Sequence, residues 1–519
     1  MVVPLGHKRA LRAGVGTALA VLSVLAVAMP SAASAATAAA TGPAPLSATP
    51  LGVNVAPWDY AYAGSTGSEA AIQSLLKAAN ISQLRYGGGT SADSYDWQTS
   101  TTIQGCLPYD TTASFTASCA SSEPLDFTQF SKQARALGAS SFVTVNYGSG
   151  TPAEAAALVS QAAKNSAQSV ALWEVGNEGY GCWEVNNELA DDPERFQNFV
   201  PGIHDDTGQN PTCPTVAEGI AAGMQTMATS YAVNAKQFMI AMKAADPKAA
   251  IGVPWAFGSN VQGASVGGGT EWNNTVLATD GKYVSFVDAH YYPFGFSGST
   301  GGSNPTDQQV LRSLFLVPTL YGQIRAKLNA YDPTASVVLG ETGLSNHPTM
   351  TTCTPVGALF AAGDVLSWLA AGARSVDWWD LDSYGNTGSQ CVNPDEGMFT
   401  ASATPAAQTP YYGYLLASLL AQPHALLRTL STSDPSDVLA YQADLPGDTR
   451  AVALINTNTS AAKTVTFQRQ LSGTLRTWRY SAGNQNAANS KIVTGTASAL
   501  SFARGITLPA ESITILKTR

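Results

Sequence analysis

Eight short apolar, β-branched runs recur along this chain, and most are separated by segments with helical patterning. That recurrence limits the possible folds more than any other feature. The runs are LGVNVAPW (51–58), ISQLRYGG (81–88), SSFVTVNYG (140–148), SVALWEVGN (169–177), AAIGVPWAF (249–257), VSFVDAHYY (284–292), SVVLGETG (336–343) and SVDWWDL (375–381). Stretches such as SEAAIQSLLKAAN and GMQTMATSYAVNAKQFMIAMKAADP lie between them and read as helices. A helix between two strands carries the chain back to where it began, so the strands run parallel. Repeated eight times over residues 51–428, the unit predicts a closed (β/α)8 TIM barrel, with an open doubly wound sheet as the rival. Beyond it, DVLAYQADLPGDTRAVALINTNTSAAKTVTF and ALSFARGITLPAESITILKT alternate in the strand period between turn residues. They predict a C-terminal β-sandwich over 429–519.

The first residues read as an export signal. Lys8, Arg9 and Arg12 precede an apolar stretch from about Ala13 to Pro30, and SAASAA offers a small-residue cleavage site after Ala35. Residues 1–35 are therefore expected to be a signal peptide and 36–50 a linker. No other apolar run is long enough to cross a bilayer, so no membrane partner is expected after cleavage. The full chain carries a formal net charge of −9, and loss of the leader makes it more acidic. That excludes a nucleic-acid partner held by general electrostatics. Charged residues make up only 12% of the chain, about half the usual share, which fits a secreted protein with a neutral polar surface.

Six cysteines in an exported chain point to disulfides. Sequential pairing, Cys106–Cys119, Cys182–Cys213 and Cys353–Cys391, would brace one loop each. No two cysteines have CxxC spacing and the five histidines are scattered, so neither a metal nor another cofactor is expected.

In a barrel of this kind, chemistry lies at the C-terminal ends of the strands. The polar residues there are Arg85, Asn177 and Glu178, His290 and Tyr292, and Glu341, with Trp378 and Trp379 on strand 8. Two are carboxylates, at the ends of strands 4 and 7. Glycosidic hydrolysis needs two carboxyl groups, one to protonate the leaving oxygen and one to attack or to activate water. Glu178 is expected to be the general acid/base and Glu341 the nucleophile, with Arg85 and Tyr292 keeping Glu341 ionised. Asn177 is expected to reach the sugar 2-hydroxyl.

The remaining residues have plainer readings. Glu174 shares the parity of Glu178 but lies deeper, and reads as a buried partner of Arg85. Glu184, Glu188, Asp191 and Asp192 fall in an inserted loop and read as solvated. Trp58, Trp97, Tyr147, Tyr180, Trp183, Trp255, Tyr291, Trp378 and Trp379 crowd the same rim, where sugar rings could stack on about half of them. Trp378 and Trp379 point to opposite faces, so one of them at most lines the site.

LRYGGGTSAD, WEVGNE, HYY and VVLGETG together resemble the retaining glycoside hydrolases of clan A. The likeness is greatest to family 79, the heparanase and β-glucuronidase group, with families 39 and 51 close behind. It covers about residues 50–400 and implies Glu178 as acid/base and Glu341 as nucleophile. It further implies retention of configuration through a covalent glycosyl-enzyme, with the carboxyls roughly 5 Å apart. Where several relatives carry a strand-1 glutamate that holds the sugar, this chain has Asn54, which is expected to bind the substrate together with Arg85, Asn177, His290, Tyr292, Trp378 and Trp379. Its strand-2 loop reads GGGTSAD in place of the Asn-bearing loop of many arabinofuranosidases. The expected function is a secreted retaining glycosidase acting on a carbohydrate substrate, a β-glucuronide or an α-L-arabinofuranoside. A non-catalytic carbohydrate-binding barrel and a transglycosylase are the alternatives.

Overall fold

The structure, a computed structural model, describes residues 44–64, 67–102, 121–181, 184, 220–257, 269–294, 305–344, 353–383, 396–467, 471–481, 492–502 and 505–519. The expected signal peptide and most of the expected linker lie outside the described residues.

Eight parallel strands close a barrel: β1 (Leu51–Val55), β2 (Gln83–Tyr86), β3 (Ser140–Val145), β4 (Leu172–Val175), β5 (Ile251–Trp255), β6 (Val284–Tyr291), β7 (Ser336–Thr342) and β8 (Val376–Trp378). Each pairs with its neighbours in sequence, and β8 pairs with β1, so no edge is left. The expected barrel is present, and closure removes the doubly wound rival. Around it lie α1 (Glu69–Ala78), α2 (Phe127–Leu137), α3 (Pro152–Lys164), α4 (Ile220–Ala245), α5 (Gly269–Asp280), α6 (Asp307–Ser313), α7 (Val317–Tyr331), α8 (Pro355–Ala371) and α9 (Thr409–Ala417).

Local chemistry sets several helix ends. The Asp126 carboxylate accepts from the Gln129 amide at the start of α2, and Gly138 ends that helix with φ +76°. Thr151 and Glu154 form a reciprocal capping box at α3, with Pro152 in the first turn.

Strand parity divides the core. Val53, Val55, Leu84, Tyr86, Val143, Trp173, Val175, Val253, Val287 and Trp378 point outward and pack under the helices in one large cluster. Phe142, Leu172, Phe286 and Val338 point inward and form a separate apolar plug. The inner space is filled to contact, as Gly252 shows: a Cβ there would run into the Phe286 ring.

The C-terminal part is a six-stranded antiparallel sheet. Its strands are β9 (Leu426–Thr429), β10 (Val438–Leu445), β11 (Thr449–Asn456), β12 (Thr474–Ser481), β13 (Val493–Ser498) and β14 (Ser512–Thr518), ordered β9-β10-β11-β14-β12-β13. The sheet begins at Leu426, slightly before the boundary read from sequence. One face, with Tyr441, Ala453, Tyr480 and Ile515, joins the barrel's helix-facing core. The other, with Val452, Leu454, Leu475 and Leu516, is covered by the antiparallel pair Lys463–Val465 and Ile506–Leu508. That makes the expected sandwich.

Candidate active site

Above the apolar plug, the inward-facing side chains become charged. Arg85 on β2 stands at the centre and is 1% exposed. Its Nη1 donates to Asn54 Oδ1 (2.9 Å) and Glu341 Oε1 (2.7 Å), and its Nη2 to Glu174 Oε2 and Asn177 Oδ1 (2.9 Å each). Its Nε lies 3.5 Å from Asp288 Oδ2. The Phe142 ring supports the guanidinium from beneath at 5.4 Å. A charge this deep is tolerable only because acceptors surround it. Burial pulls its pKa down, yet Glu174, Glu341 and Asp288 together hold it well above its ordinary value. Glu174 also accepts from Thr144 Oγ1 at 2.9 Å; burial and then Asp288 push its pKa up to about 8.

Glu341 reaches the centre through a defect in the sheet. Val338 pairs with Asp288 and Glu341 with His290, so three steps along β7 match two along β6. The same offset recurs against β8, between Leu339 and Thr342. A strict alternation starting from inward Val338 would turn Glu341 outward; the bulge turns it in. Glu341 then takes Arg85 on Oε1 and the Tyr292 hydroxyl on Oε2 at 2.9 Å.

Glu178 follows β4 by way of a tight turn. Gly176 has φ +74°, and a Cβ there would lie 2.8 Å from Tyr147 Cβ, so glycine alone fits without strain. Glu178 itself has φ +39°, an unfavourable conformation for a side-chain-bearing residue. Its Oε1 accepts from the Tyr180 hydroxyl at 3.0 Å and lies 2.8 Å from His290 Nδ1. The same His290 nitrogen lies 3.4 Å from Glu341 Oε2. One oxygen of each glutamate and a His290 nitrogen fall within 4.8 Å of one another. Burial works to neutralise His290, but Glu341, Asp288 and Glu178 overcome it and hold the imidazole well above its ordinary pKa.

Asn177 is pinned on three sides. Its carbonyl oxygen accepts from Arg85, its amide nitrogen donates to Glu184 Oε1 at 2.9 Å, and its backbone N–H donates to Asp93 Oδ2 at 3.1 Å. Glu184 also accepts from Thr90 Oγ1 at 3.0 Å. The expectation that Glu184 is solvated is therefore corrected: it is 4% exposed, and burial, then Asp93 and Glu178, raise its pKa well above the carboxylate range. Glu188, Asp191 and Asp192 lie outside the described residues. Asp93 closes this network; its other oxygen accepts from the Tyr147 N–H, and burial pushes its pKa up to about 8.

Two residues expected at the sugar sit elsewhere. Trp378 is fully buried on the helix side of β8, against Phe360 and Tyr414, with its N–H on the Glu396 carbonyl. It has the parity of Val376, and Asp377 points in. Asn54 is 1% exposed and spans Arg85 and the carbonyls of Gly340 and Trp378, so it braces the charged centre from below. Tyr147 and Tyr291 are core residues, and Trp255 lies on the outward parity of β5. Trp58 and Trp379 do reach the mouth: their rings lie against Gly88 and Gly89, where a Cβ would meet them at 2.7 and 2.8 Å. Gly87, Gly88 and Gly89 all have positive φ, which explains the triple glycine. Trp183 lies outside the described residues. So does at least one member of each expected cysteine pair; among the described residues no cysteine is free.

Asp93, Asp288 and Thr144 were missed from sequence, and Tyr180 was read only as a rim aromatic, not as a hydrogen-bond donor to Glu178. Asp288 had a usable signal, two residues before His290 and hence on the same face. Glu174, Asp288 and His290, like Glu178, His290 and Glu341, are spaced closely enough to ligate an ion. Arg85 already supplies a cation to Glu174, Asp288 and Glu341, which makes a second one there costly.

Neither a protein-family model nor a curated protein matches the chain. Solved structures do match in fold. An α-L-arabinofuranosidase from Thermotoga maritima, in complex with arabinose, superposes with a TM-score of 0.63 at 14% identity, covering 92% of this chain and 97% of that one. A family 51 α-L-arabinofuranosidase from Bifidobacterium longum gives 0.62 at 16%, with 92% and 97% covered. A GH39 β-xylosidase from Caulobacter crescentus gives 0.55 at 12%, with 92% and 98% covered. At these identities the likeness establishes the fold.

Proposed function

We propose that the protein is a secreted retaining glycosidase of the clan A type, with Glu341 as nucleophile and Glu178 as general acid/base. The observation that carries this reading is the pair itself: two carboxyl groups, one just after β4 and one on β7 of one closed barrel, with oxygens within 4.8 Å across a shared histidine. Such closeness suits direct attack on the sugar, because inversion needs room for a water between the two groups. In the first step the Glu341 carboxylate attacks the anomeric carbon as Glu178 gives its proton to the departing oxygen. The glycosidic C–O bond breaks and a glycosyl ester forms. In the second step Glu178 takes a proton from water, the water oxygen attacks the anomeric carbon, and the ester bond breaks. Arg85 and Tyr292 each donate to one oxygen of Glu341 and so fix the carboxyl for attack, and His290 orients Glu178. Trp58 and Trp379 offer rings to the sugar.

The mouth favours a neutral sugar over a uronic acid. Asp380 and Asp382 lie just past the C-terminal end of β8, and Glu396 is close enough to Tyr292 to raise its pKa after burial and Glu341 do so. A substrate carboxylate would meet these acidic groups, while Arg85 is already taken up by its acceptors. Of the two sugars expected, the α-L-arabinofuranoside fits better, and the fold neighbours point the same way.

The test is a panel of nitrophenyl glycosides: α-L-arabinofuranoside, β-D-xyloside, β-D-glucuronide and β-D-galactofuranoside. Turnover of the arabinofuranoside and little of the glucuronide is expected. Glu341→Gln should lower kcat by at least about 10⁴-fold while leaving thermal unfolding intact. Near wild-type turnover by that variant would refute the mechanism. Sugar binding by the wild-type protein with no turnover of any glycoside would favour a non-catalytic barrel.

A further inference from the structure

A second site lies far from the barrel mouth. The barrel-facing side of the six-stranded sheet runs past the end of α9 and leaves a cavity of ≈ 610 Å³, lined among others by Leu419, Thr449, Arg476, Trp478, Lys517 and Arg519. Ser418, beside Leu419, bonds Asn80 in the turn that leads into β2. The groove therefore belongs to the N-terminal end of the strands, opposite the candidate active site.

Its charges are arranged against stability. Arg476 and Lys517 are register partners on adjacent strands and share one face. Like charges placed directly opposite each other repel. Among the described residues no acidic side chain lines the groove to relieve them. Burial, and then the charge of Arg476, pull the Lys517 ammonium below its ordinary pKa. Arg476 is held in place by Trp478, whose ring centroid is 5.3 Å from the guanidinium carbon. Among the described residues three cations, Arg476, Lys517 and Arg519, line the groove, in a chain whose overall charge is −9. Paired cations on a rigid strand register, beside an indole and an apolar wall, match a ligand with a carboxylate on a ring.

We propose that this groove anchors a carboxylate-bearing oligosaccharide segment, the acidic stretch of a polymer whose neutral branches the barrel cleaves. The anchoring stands on the groove alone; the link to cleavage rests on the function proposed above. The two sites divide the polymer by charge: an acidic mouth takes the neutral sugar and a distant basic groove holds the acidic chain. Holding the polymer at one point raises the local concentration of its branches at the other.

Calorimetry of the full chain tests this with three probes at low salt: a galacturonate hexamer, a neutral xylose hexamer and inorganic phosphate. The galacturonate hexamer should bind with Kd of about 1 mM or tighter. Arg476→Gln with Lys517→Gln should weaken it at least about tenfold, and raising the salt to about 0.5 M should weaken it similarly. Aryl-glycoside turnover should stay at the wild-type rate in this variant. Lys517→Gln alone, which removes the repulsion, should bind more weakly without a lower Tm, and it serves if the double variant does not fold. No binding of the galacturonate hexamer, equal binding in the variants, equal binding of the xylose hexamer, or displacement by phosphate at the same concentration would each overturn the proposal. Hexamer binding without aryl-glycoside turnover in the wild type would leave the groove standing and remove the reading of the barrel.

Discussion

Arg85 shows how one side chain organises the centre. Its guanidinium bonds Asn54, Glu174, Asn177 and Glu341, and approaches Asp288 and His290. Replacing it by Met leaves buried carboxylates without their cation, and we expect a loss of about 3–5 kcal/mol in urea unfolding. Glu184 acts more selectively. It holds the Asn177 amide through Oε1, and burial, then Asp93 and Glu178, raise its pKa well above the carboxylate range. Glutamine keeps the same shape and an oxygen that can accept from Asn177 and Thr90, so Glu184→Gln should retain kcat/KM within a few-fold. Glu184→Ala frees the Asn177 amide and should lose about 10- to 100-fold, the worth of one or two buried hydrogen bonds. Equal losses in both variants would show that Asn177 is positioned by something else. Sequence reading placed Arg85, Glu174 and Glu341 in the centre by strand parity and end position. It put Glu184 in solvent, because nothing in CWEVNNELADD marks one acid of that loop as folded back onto β4.

At the scale of elements, two backbone departures from regularity bring the carboxylates together: the bulge in β7 and the left-handed turn after β4. The turn depends on Gly176. Alanine there must take φ near +74° and place its Cβ 2.8 Å from Tyr147. Gly176→Ala should destabilise the fold by about 1–3 kcal/mol. It should lower kcat by more than that figure predicts from unfolding, since Asn177 and Glu178 ride on the displaced turn. A stability loss with unchanged turnover would show that the turn does not set the geometry. The glycine was legible in VGNEGYG as a turn signal. The bulge was not, because SVVLGETG reads equally well as an unbroken strand.

For the molecule as a whole, buried acids set the response to pH. Burial raises Glu174 and Asp93 to about 8, and Asp364, in α8 under β7, to about 7. Between their unfolded values near 4 and these folded ones, the native state holds more protons than the unfolded chain. Stability therefore falls as pH rises through that window, by about 1.4 kcal/mol per pH unit for each such group. The raised His290 acts in the same direction, its contribution being complete below about pH 6.5 and lost above as its folded pKa is passed. Tm should be higher at pH 5 than at pH 8, and Asp364→Asn should flatten the slope. A Tm that rises steadily from pH 5 to pH 8 would contradict the assignment. The pattern also ties the two parts of the chain together: α8 lies between barrel and sheet, with Ser367 hydrogen-bonded to Tyr441 at 2.6 Å.

What the chain order alone determined is the architecture and the inward set: hydrophobic period, turn residues and strand parity are local properties, and eight repetitions of one unit leave few ways to close a sheet. They also pointed to Glu178 and Glu341 as strand-end acids and ruled that only one of Trp378 and Trp379 could face the mouth. Which of the two it is, how Glu341 turns inward, and which loop carboxyl is buried were decided only in three dimensions. Those outcomes depend on register between strands far apart in sequence and on the free energy of desolvation, which a linear pattern does not carry.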